Sequence, residues 1–318
     1  MRVCHIYPFF PPRRLGGVEK WILSLSNFLS KSTTDIHFSL ITDRSNFYYY
    51  AASPKASQYG SLQVYRIGPH IFSSIFYSSR VRWKIFEKLS LRQLFREAIR
   101  LQQIKDADIF HLHGIWLDKE FKQYTELALL LSQFLNKPLV VSLHNDVVNS
   151  PREVAAPLFR AEVRKILNYA KAITTYSFDI YKMLSELGFS SKSYLVPNFI
   201  DVKHFKCPNP RDYETATRLL FVSRLDSERD PLTVIEAFRY IKEKIPSSTL
   251  TVVGNGAMYK EIEGLVQRLR LDNNVILKGQ QFDVRKFLWN SDIMISVGYL
   301  TLLEAWAAGL PVVAYNWG

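Results

Sequence analysis

The segment Leu219–Phe238, LLFVSRLDSERDPLTVIEAF, decides how the chain is read. It opens on Leu219-Leu220-Phe221-Val222, a short apolar run of the kind that forms a buried strand. A polar loop follows, and helical periodicity begins at Asp230-Pro231, with Asp230 suited to the N-cap and Pro231 to the first turn. The loop carries Arg224 and Arg229, five residues apart. Two guanidinium forks beside a helix N-terminus match the oxygens of a diphosphate, and the helix dipole favours an anion there. Two solvated surface arginines with local partners would give the same letters.

The same alternation runs outward from this segment. Downstream it predicts strand 249–253, helix 257–270, strand 274–278, helix 282–290, strand 292–297, helix 301–308 and strand 311–315. Upstream it predicts strands at 2–7, 35–42, 64–67, 107–113, 139–144, 172–177 and 193–196. Helices are predicted after Gly17 and over 80–105, 120–135, 151–169 and 178–187, and residues 46–60 read as a loop. Strands alternating with helices build a parallel sheet covered on both faces. Residues 201–218 are polar, contain Pro208 and Pro210, and break the pattern. The predicted fold is therefore α/β, with two Rossmann-like doubly wound domains: 1–200, a linker at 201–218, and 219–318.

Composition narrows the function. A chain of 318 residues with 47% hydrophobic and 22% charged residues is long enough for two cores and ordinary for a soluble protein. It has no apolar run of bilayer-spanning length, and its first residues show no signal-peptide cleavage pattern. Cys4 and Cys207 make neither a disulfide framework nor a metal spacing, so a cytoplasmic location is expected. The net charge of +12 suits nucleic acid, an anionic membrane face or a phosphorylated small molecule. Zinc-finger spacing and RNA-binding sheet motifs are missing, so nucleic acid is not an expected partner. Residues 80–105 hold eight Lys or Arg against Glu87 and Glu97, with Trp83, Ile85 and Phe86 adding apolar bulk. Such a basic amphipathic helix can lie on an anionic membrane, or simply pack on a sheet with a solvated face.

Doubly wound sheets bind ligands outside the carboxyl ends of their strands, which selects four places. Gly16-Gly17 lies between a strand and a helix, where backbone N–H groups can approach an anion. His111 and His113 share one face of a strand; a metal pair would need a third ligand, and packed histidines are the better reading. His144 ends a strand, placed to contact a substrate or shuttle a proton. Gly254-Asn255-Gly256 follows the strand at 249–253 and can admit a base or phosphate. Glu304 reads as the last residue of a capping box, Thr301-Leu-Leu-Glu304.

Taken in order, Gly16-Gly17-Val18-Glu19, HLHGIW at 111–116, VVSLHND at 140–146, LVPNFID at 195–201, FVSRLDSERDP at 221–231, LTVVGNG at 250–256 and LLEAWAAGLPVVAY at 302–315 resemble the family 4 (group 1) retaining glycosyltransferases of GT-B fold. The resemblance implies two domains facing a cleft, a nucleotide-sugar donor on the second domain, and a glycan, lipid or small-molecule acceptor on the first. It implies retention of configuration, no bound metal, and no cofactor, the nucleotide sugar being a co-substrate. It places Gly16 and Gly17 against the donor diphosphate or acceptor and His144 near the transferred sugar. Arg224 would hold the diphosphate, Arg229 would stand where the family has lysine, and Gly254, Asn255 and Gly256 would border the nucleotide. Glu304 would hold the donor ribose as the second Glu of a Glu-x7-Glu motif, whose first position is Ser296 here. The loop before Glu304 is about five residues short of the family's, and the chain ends at Trp317-Gly318, so the second domain is expected to be incomplete and turnover reduced. The alternative is a non-catalytic nucleotide-sugar or glycan-binding remnant. A dinucleotide enzyme is disfavoured, because no GxGxxG follows the first strand.

Overall fold

Leu219–Val222 is apolar on both faces and Val3–Ile6 carries one polar residue, His5; both strands are buried and lie mid-sheet in the computed structural model. The structure describes residues 1–11, 16–33, 35–43, 55–68, 80–117, 121–144, 161–209 and 217–315, with the backbone alone for 80–88. These fall into two units, Met1–Asn198 and Phe199–Gly318.

The first unit is built on eight strands: β1 (Arg2–Ile6), β2 (His37–Asp43), β3 (Ala56–Tyr59), β4 (Leu62–Ile67), β5 (Ile109–His113), β6 (Leu139–Leu143), β7 (Ala172–Thr175) and β8 (Ser193–Leu195). Their order is β3-β4-β2-β1-β5-β6-β7-β8. All neighbours run parallel except β3, which is antiparallel to β4. The helices are α1 (Gly17–Ser32), α2 (Arg80–Ala98), α3 (Gln102–Lys105), α4 (Lys122–Phe134), α5 (Ala161–Tyr169) and α6 (Phe178–Glu186).

Two expectations change here. β3 lies inside the stretch read as loop, because ASQY is a polar edge strand without apolar alternation. Its hairpin turns at Gly60, whose φ of 58° suits glycine. The single helix expected over 80–105 is broken: Leu101 is extended and precedes α3. The break lets Leu94, Ala98 and Ile104 all reach the core together with Ile99 and Leu101. Of the helix expected over 151–169, residues 151–160 lie outside the described residues, as do Asn145 and Asp146.

The second unit holds β9 (Arg218–Val222), β10 (Thr249–Val253), β11 (Val275–Leu277), β12 (Ile293–Ser296) and β13 (Val312–Ala314), all parallel in the order β11-β10-β9-β12-β13. Its helices are α7 (Val202–Phe205), α8 (Pro231–Lys244), α9 (Tyr259–Arg268), α10 (Arg285–Trp289) and α11 (Tyr299–Ala307). Alternate residues cover both faces. Leu219, Phe221, Leu250 and Val252 pack with Phe238 and Ile262 on one side. Leu220, Val222, Val253 and Met294 pack with Leu288 and Leu310 on the other. The start of the expected linker is structured: Asp201 caps α7 by accepting from the His204 N–H at 3.2 Å, and the Trp289 indole donates to the Phe205 carbonyl at 2.8 Å. Residues 201–205 therefore belong to the second unit. Among the described residues no helix is long and apolar enough to cross a membrane.

Both sheets are laid down outward from one strand and then resumed on its other edge, so each has a switch point, between β1 and β5 and between β9 and β12. The two switch points share a device. Asp108, just before β5, accepts from the Arg2 N–H at 2.8 Å. Asp292, just before β12, accepts from the N–H groups of Thr217 at 3.0 Å and Arg218 at 2.8 Å, and from the Arg218 guanidinium at 2.6 Å. Burial pushes the Asp292 carboxyl up, but these donors outweigh it and hold the group below its ordinary value. Asp292→Ala strands two partly buried N–H groups and is expected to cost about 2–3 kcal/mol. Urea unfolding reads the loss, and amide exchange at Thr217 and Arg218 should quicken; unchanged protection there would mean the carboxylate does not hold the strands.

Candidate functional site

Three loops meet at the switch point of the second unit. The loop from β9 to α8 is tied to the loop after β10 by main-chain bonds: Ser223 donates to Val253 at 3.1 Å, Leu225 to Asn255 at 3.1 Å, and Met258 to Leu225 at 2.9 Å. The Asp226 carboxylate adds a bond from the Ala257 N–H at 3.1 Å. This contact requires glycine. A Cβ on Gly254, whose φ is 149°, would sit 1.8 Å from the Ser223 carbonyl oxygen, and one on Gly256 would meet the Leu225 carbonyl at 2.5 Å. The structure thus brings Gly254, Asn255 and Gly256 against the arginine loop.

The two arginines have separate partners. Arg224 is 41% exposed and pairs with Asp226 and Glu228, each at 3.0 Å. Arg229 closes a single 3-10 turn, Ser227–Arg229, and donates to the Val297 carbonyl after β12 at 3.4 Å. Asp230 does not act as the expected side-chain cap. It stands at the N-cap of α8 with φ 38° and ψ 56°, and its side chain makes no capping bond. Aspartate tolerates this left-handed conformation better than most residues, and the strain is held by the Tyr315 hydroxyl, which donates to the carbonyls of Arg229 at 3.1 Å and Asp230 at 3.2 Å.

Glu304 is buried on α11. The expected capping box is not formed. α11 begins at Tyr299 with Gly298 as N-cap, which puts Thr301 inside the first turn, its hydroxyl donating to the Gly298 carbonyl at 2.8 Å. Ser296 is also buried, its hydroxyl 3.2 Å from the Gly298 carbonyl and 3.1 Å from the Thr301 hydroxyl.

In the first unit four buried imidazoles gather at the switch point beneath α1. His5 Nδ1 lies 2.9 Å from His113 Nε2, and His113 Nδ1 lies 3.1 Å from His144 Nε2. His111 Nε2 bonds the Ser142 hydroxyl at 2.7 Å, which in turn meets the Thr174 hydroxyl at 2.6 Å. The Trp21 indole lies edge-on over His111, His113 and His144. Gly16 caps α1 through its backbone, where its N–H donates to Glu19 Oε2 at 2.9 Å, and Gly17 is exposed in the first turn. His144 therefore joins His111 and His113, as strand-end geometry allows. His5, Trp21 and Asp226 were missed. His5 pairs with His111 across neighbouring strands far apart in sequence, a link no local pattern reveals.

His5, His111 and His113 place one ring nitrogen each within 4.8 Å of one another, supplying the third ligand that the histidine pair lacked in sequence. As the rings stand, both nitrogens of His113 and Nδ1 of His5 are engaged in ring-to-ring bonds. A metal would have to break those bonds.

Models of two families match the chain in succession: Glycosyltransferase Family 4 over residues 15–204 and Glycosyl transferases group 1 over 205–318. The chain belongs to glycosyltransferase family 4. Among curated family relatives, an uncharacterized glycosyltransferase of Methanocaldococcus jannaschii is 22% identical over 73% of this chain and 58% of its own length. A poly(glycerol-phosphate) alpha-glucosyltransferase of Bacillus subtilis is 23% identical over 76% of this chain and 36% of its own length. The chain thus spans only part of the first relatives it matches. An alpha-monoglucosyldiacylglycerol synthase of Streptococcus pneumoniae is 21% identical over 97% of this chain and 69% of its own. Among solved structures, the Anabaena protein HepE in complex with UDP and glucose superposes with a TM-score of 0.66 at 17% identity, covering 98% of this chain and 80% of that one. The fold is the GT-B fold of such enzymes.

In this family 4 chain the histidine cluster sets an acid limit. Burial lowers His5 to about 3 and His144 to about 4. Burial, then the neighbouring imidazoles, holds His111 and His113 well below the usual value of 6.5. Above 6.5 each ring is neutral folded or unfolded, so the cluster leaves stability unchanged. Below it the unfolded chain binds protons that the folded chain refuses, so stability falls as pH drops toward 4, by about 1.4 kcal/mol per pH unit per histidine. Urea unfolding at pH 7 and pH 5 should show a loss of several kcal/mol, reduced in His111→Gln. A flat profile would mean the rings titrate normally.

Proposed function

We propose that the chain is a retaining glycosyltransferase moving a hexosyl or related sugar from a nucleotide-sugar donor to a glycan, lipid or small-molecule acceptor, without a bound metal or cofactor. The observation that carries this reading is the loop cluster of the second unit: two arginines, two obligatory glycines and a buried Glu304 around the carboxyl ends of β9, β10 and β12. A nucleoside diphosphate gains negative charge as it leaves the sugar. Fixed cations lower that barrier because they act where the charge develops. Arg224 and Arg229 take the diphosphate, the backbone of Gly254, Asn255 and Gly256 lets the nucleotide approach closely, and Glu304 holds the ribose. Gly16, Gly17 and His144 serve the sugar and acceptor. The carboxylates now on Arg224 do not bar this role. Exposed ion pairs are worth about 0–1 kcal/mol each, whereas a charge-assisted Arg–phosphate fork is stronger. The HepE structure with UDP and glucose, and an Arabidopsis starch synthase structure with ADP and acarbose, support a nucleotide donor.

A weaker catalyst that retains donor binding is the second reading, and Ser296 favours it. Its hydroxyl seals the turn into α11, so that position offers no carboxylate to the sugar. Small misplacements of a reacting sugar cost rate heavily. Calorimetry with UDP and with uridine tests the donor site. Arg224→Ala should weaken UDP binding roughly tenfold or more, about 1.4 kcal/mol, and leave uridine unaffected. Equal losses on both ligands would remove Arg224 from the diphosphate.

We further propose that the basic face of α2 brings the chain, in the cytoplasm, to an anionic inner membrane face. Leu94 and Ala98 are buried, while Arg92 and Arg96 on α2 and Arg100 in the turn just after it are exposed at four-residue intervals. Glu97 is turned away, its carboxylate accepting from the Gly68 N–H at 3.2 Å and the Gln93 amide at 2.8 Å. The side chains of Trp83, Ile85 and Phe86 lie outside the described residues, so the proposal rests on the exposed arginines. Binding to anionic liposomes should fall as salt rises, and fall again in an Arg92→Glu, Arg96→Glu, Arg100→Glu variant. Indifference to anionic liposomes at low salt would refute it.

A further inference from the structure

We propose that His5 and His113 lock His144 into the tautomer protonated on Nδ1, so that His144 meets a bound ligand as a neutral hydrogen-bond donor and not as a base. This rests on the reading that His144 faces the sugar end of a ligand; the locking itself does not. A neutral imidazole has one N–H and one lone pair. His113 is bonded on both nitrogens, to His5 at 2.9 Å and to His144 at 3.1 Å, so it must donate on one side and accept on the other. The three rings therefore change tautomer only together, and the wire has two states.

In one state the bonds run from His5 Nδ1–H to His113 Nε2 and from His113 Nδ1–H to His144 Nε2. His144 then carries its proton on Nδ1, and His5 Nε2 is a bare lone pair. In the other state every bond reverses, His144 Nδ1 becomes an acceptor, and His5 Nε2 carries a proton. The environment of His5 Nε2 decides between them. That atom is fully buried and has no hydrogen-bond partner among the described residues. Its ring is stacked on Phe38, with centroids 5.6 Å apart and an angle of 7° between planes. An orphaned buried N–H is rarer and more costly than an under-satisfied acceptor, so the first state holds. Burial keeps the rings neutral, which closes the escape through an imidazolium that would donate on both sides. His144 Nδ1, unlike His5 Nε2, is not among the fully buried partnerless atoms, its residue being 8% exposed, and is left as the donor at the open end of the wire. It would serve an acceptor oxygen, such as a sugar hydroxyl or ring oxygen. The arrangement sets His144 aside as a proton shuttle: taking a second proton would place a charge at the end of a buried apolar-walled wire.

Two-bond proton–nitrogen correlation spectra of the full chain labelled with 15N-histidine read each ring's tautomer directly, with signals assigned by His5→Phe and His144→Gln. At pH 7 His5, His113 and His144 should all be Nδ1–H, against the Nε2–H preference of a free imidazole, and should stay so down to pH 5.5. His144 should stay Nδ1–H in His5→Phe, where the bare buried atom becomes His113 Nε2, and should gain the Nε2–H form in His113→Phe, which removes the ring that donates to it. An Nε2–H His144 in the unmodified chain, or its protonation above pH 5.5, overturns the proposal. So does a shift of His5, His111 and His113 on addition of one equivalent of zinc, which would make the cluster a metal site. Because the spectra are taken without nucleotide or acceptor, failure of the glycosyltransferase reading would leave them unchanged.

Discussion

The pairing of β9 with β10 on one edge and β12 on the other fixes where the second unit can act. Leu220 stands opposite Thr251 on one side and Met294 on the other, so three strands end at one level. Their loops leave side by side, and main-chain bonds across them turn adjacency into a rigid rim. Gly254 and Gly256 are part of that constraint, because any side chain there would occupy the space of the neighbouring backbone. The arginine loop cannot drift without breaking strand-end bonds. Positioning of this kind is inherited from the sheet and needs no ligand to form.

The first unit reaches a similar end by different side chains. β1 is its central strand, with β2 and β5 on either edge, and its switch point carries imidazoles where the second unit carries guanidinium groups. Asp108 and Asp292 hold the amino ends of the equivalent strand pairs, so the two units share their framework and differ in what they mount on it.

Legibility followed the range of the interaction. The start of α8 at Pro231 was readable to the residue, because its proline and the apolar spacing that follows are local facts. The strand cores were readable because burial on both faces leaves apolar runs. What failed depended on distant or backbone-only information. β3 is a polar edge strand whose only signature is its partner β4. Asp230 serves equally as a side-chain cap or a left-handed residue, and Tyr315 settles which. The box at Thr301 failed because the true cap, Gly298, has no side chain to announce it. The site was half visible: its arginines, glycines and His144 lie at strand ends, whereas His5 entered only through the pairing of β1 with β5.

On the proposed roles, the contrast between the half-exposed Arg224 and the buried histidines follows from one physical rule. A diphosphate keeps its charge at every working pH, so its partners must stay cationic. Arginine remains protonated throughout that range, and Arg224 lies half in water. Sugar hydroxyls are neutral, and a neutral donor or acceptor of fixed direction can orient them. Burial produces such a group from histidine by making the charged form costly, and a chain of rings with one proton apiece then sets the direction. Exchanging the two environments would defeat both. An exposed imidazole would titrate near neutrality and lose its direction, and a fully buried Arg224 would need its carboxylates too strongly to exchange them for a phosphate. The division of charged and neutral groups thus follows their burial, Arg224 being 41% exposed and each of the four histidines 8% or less.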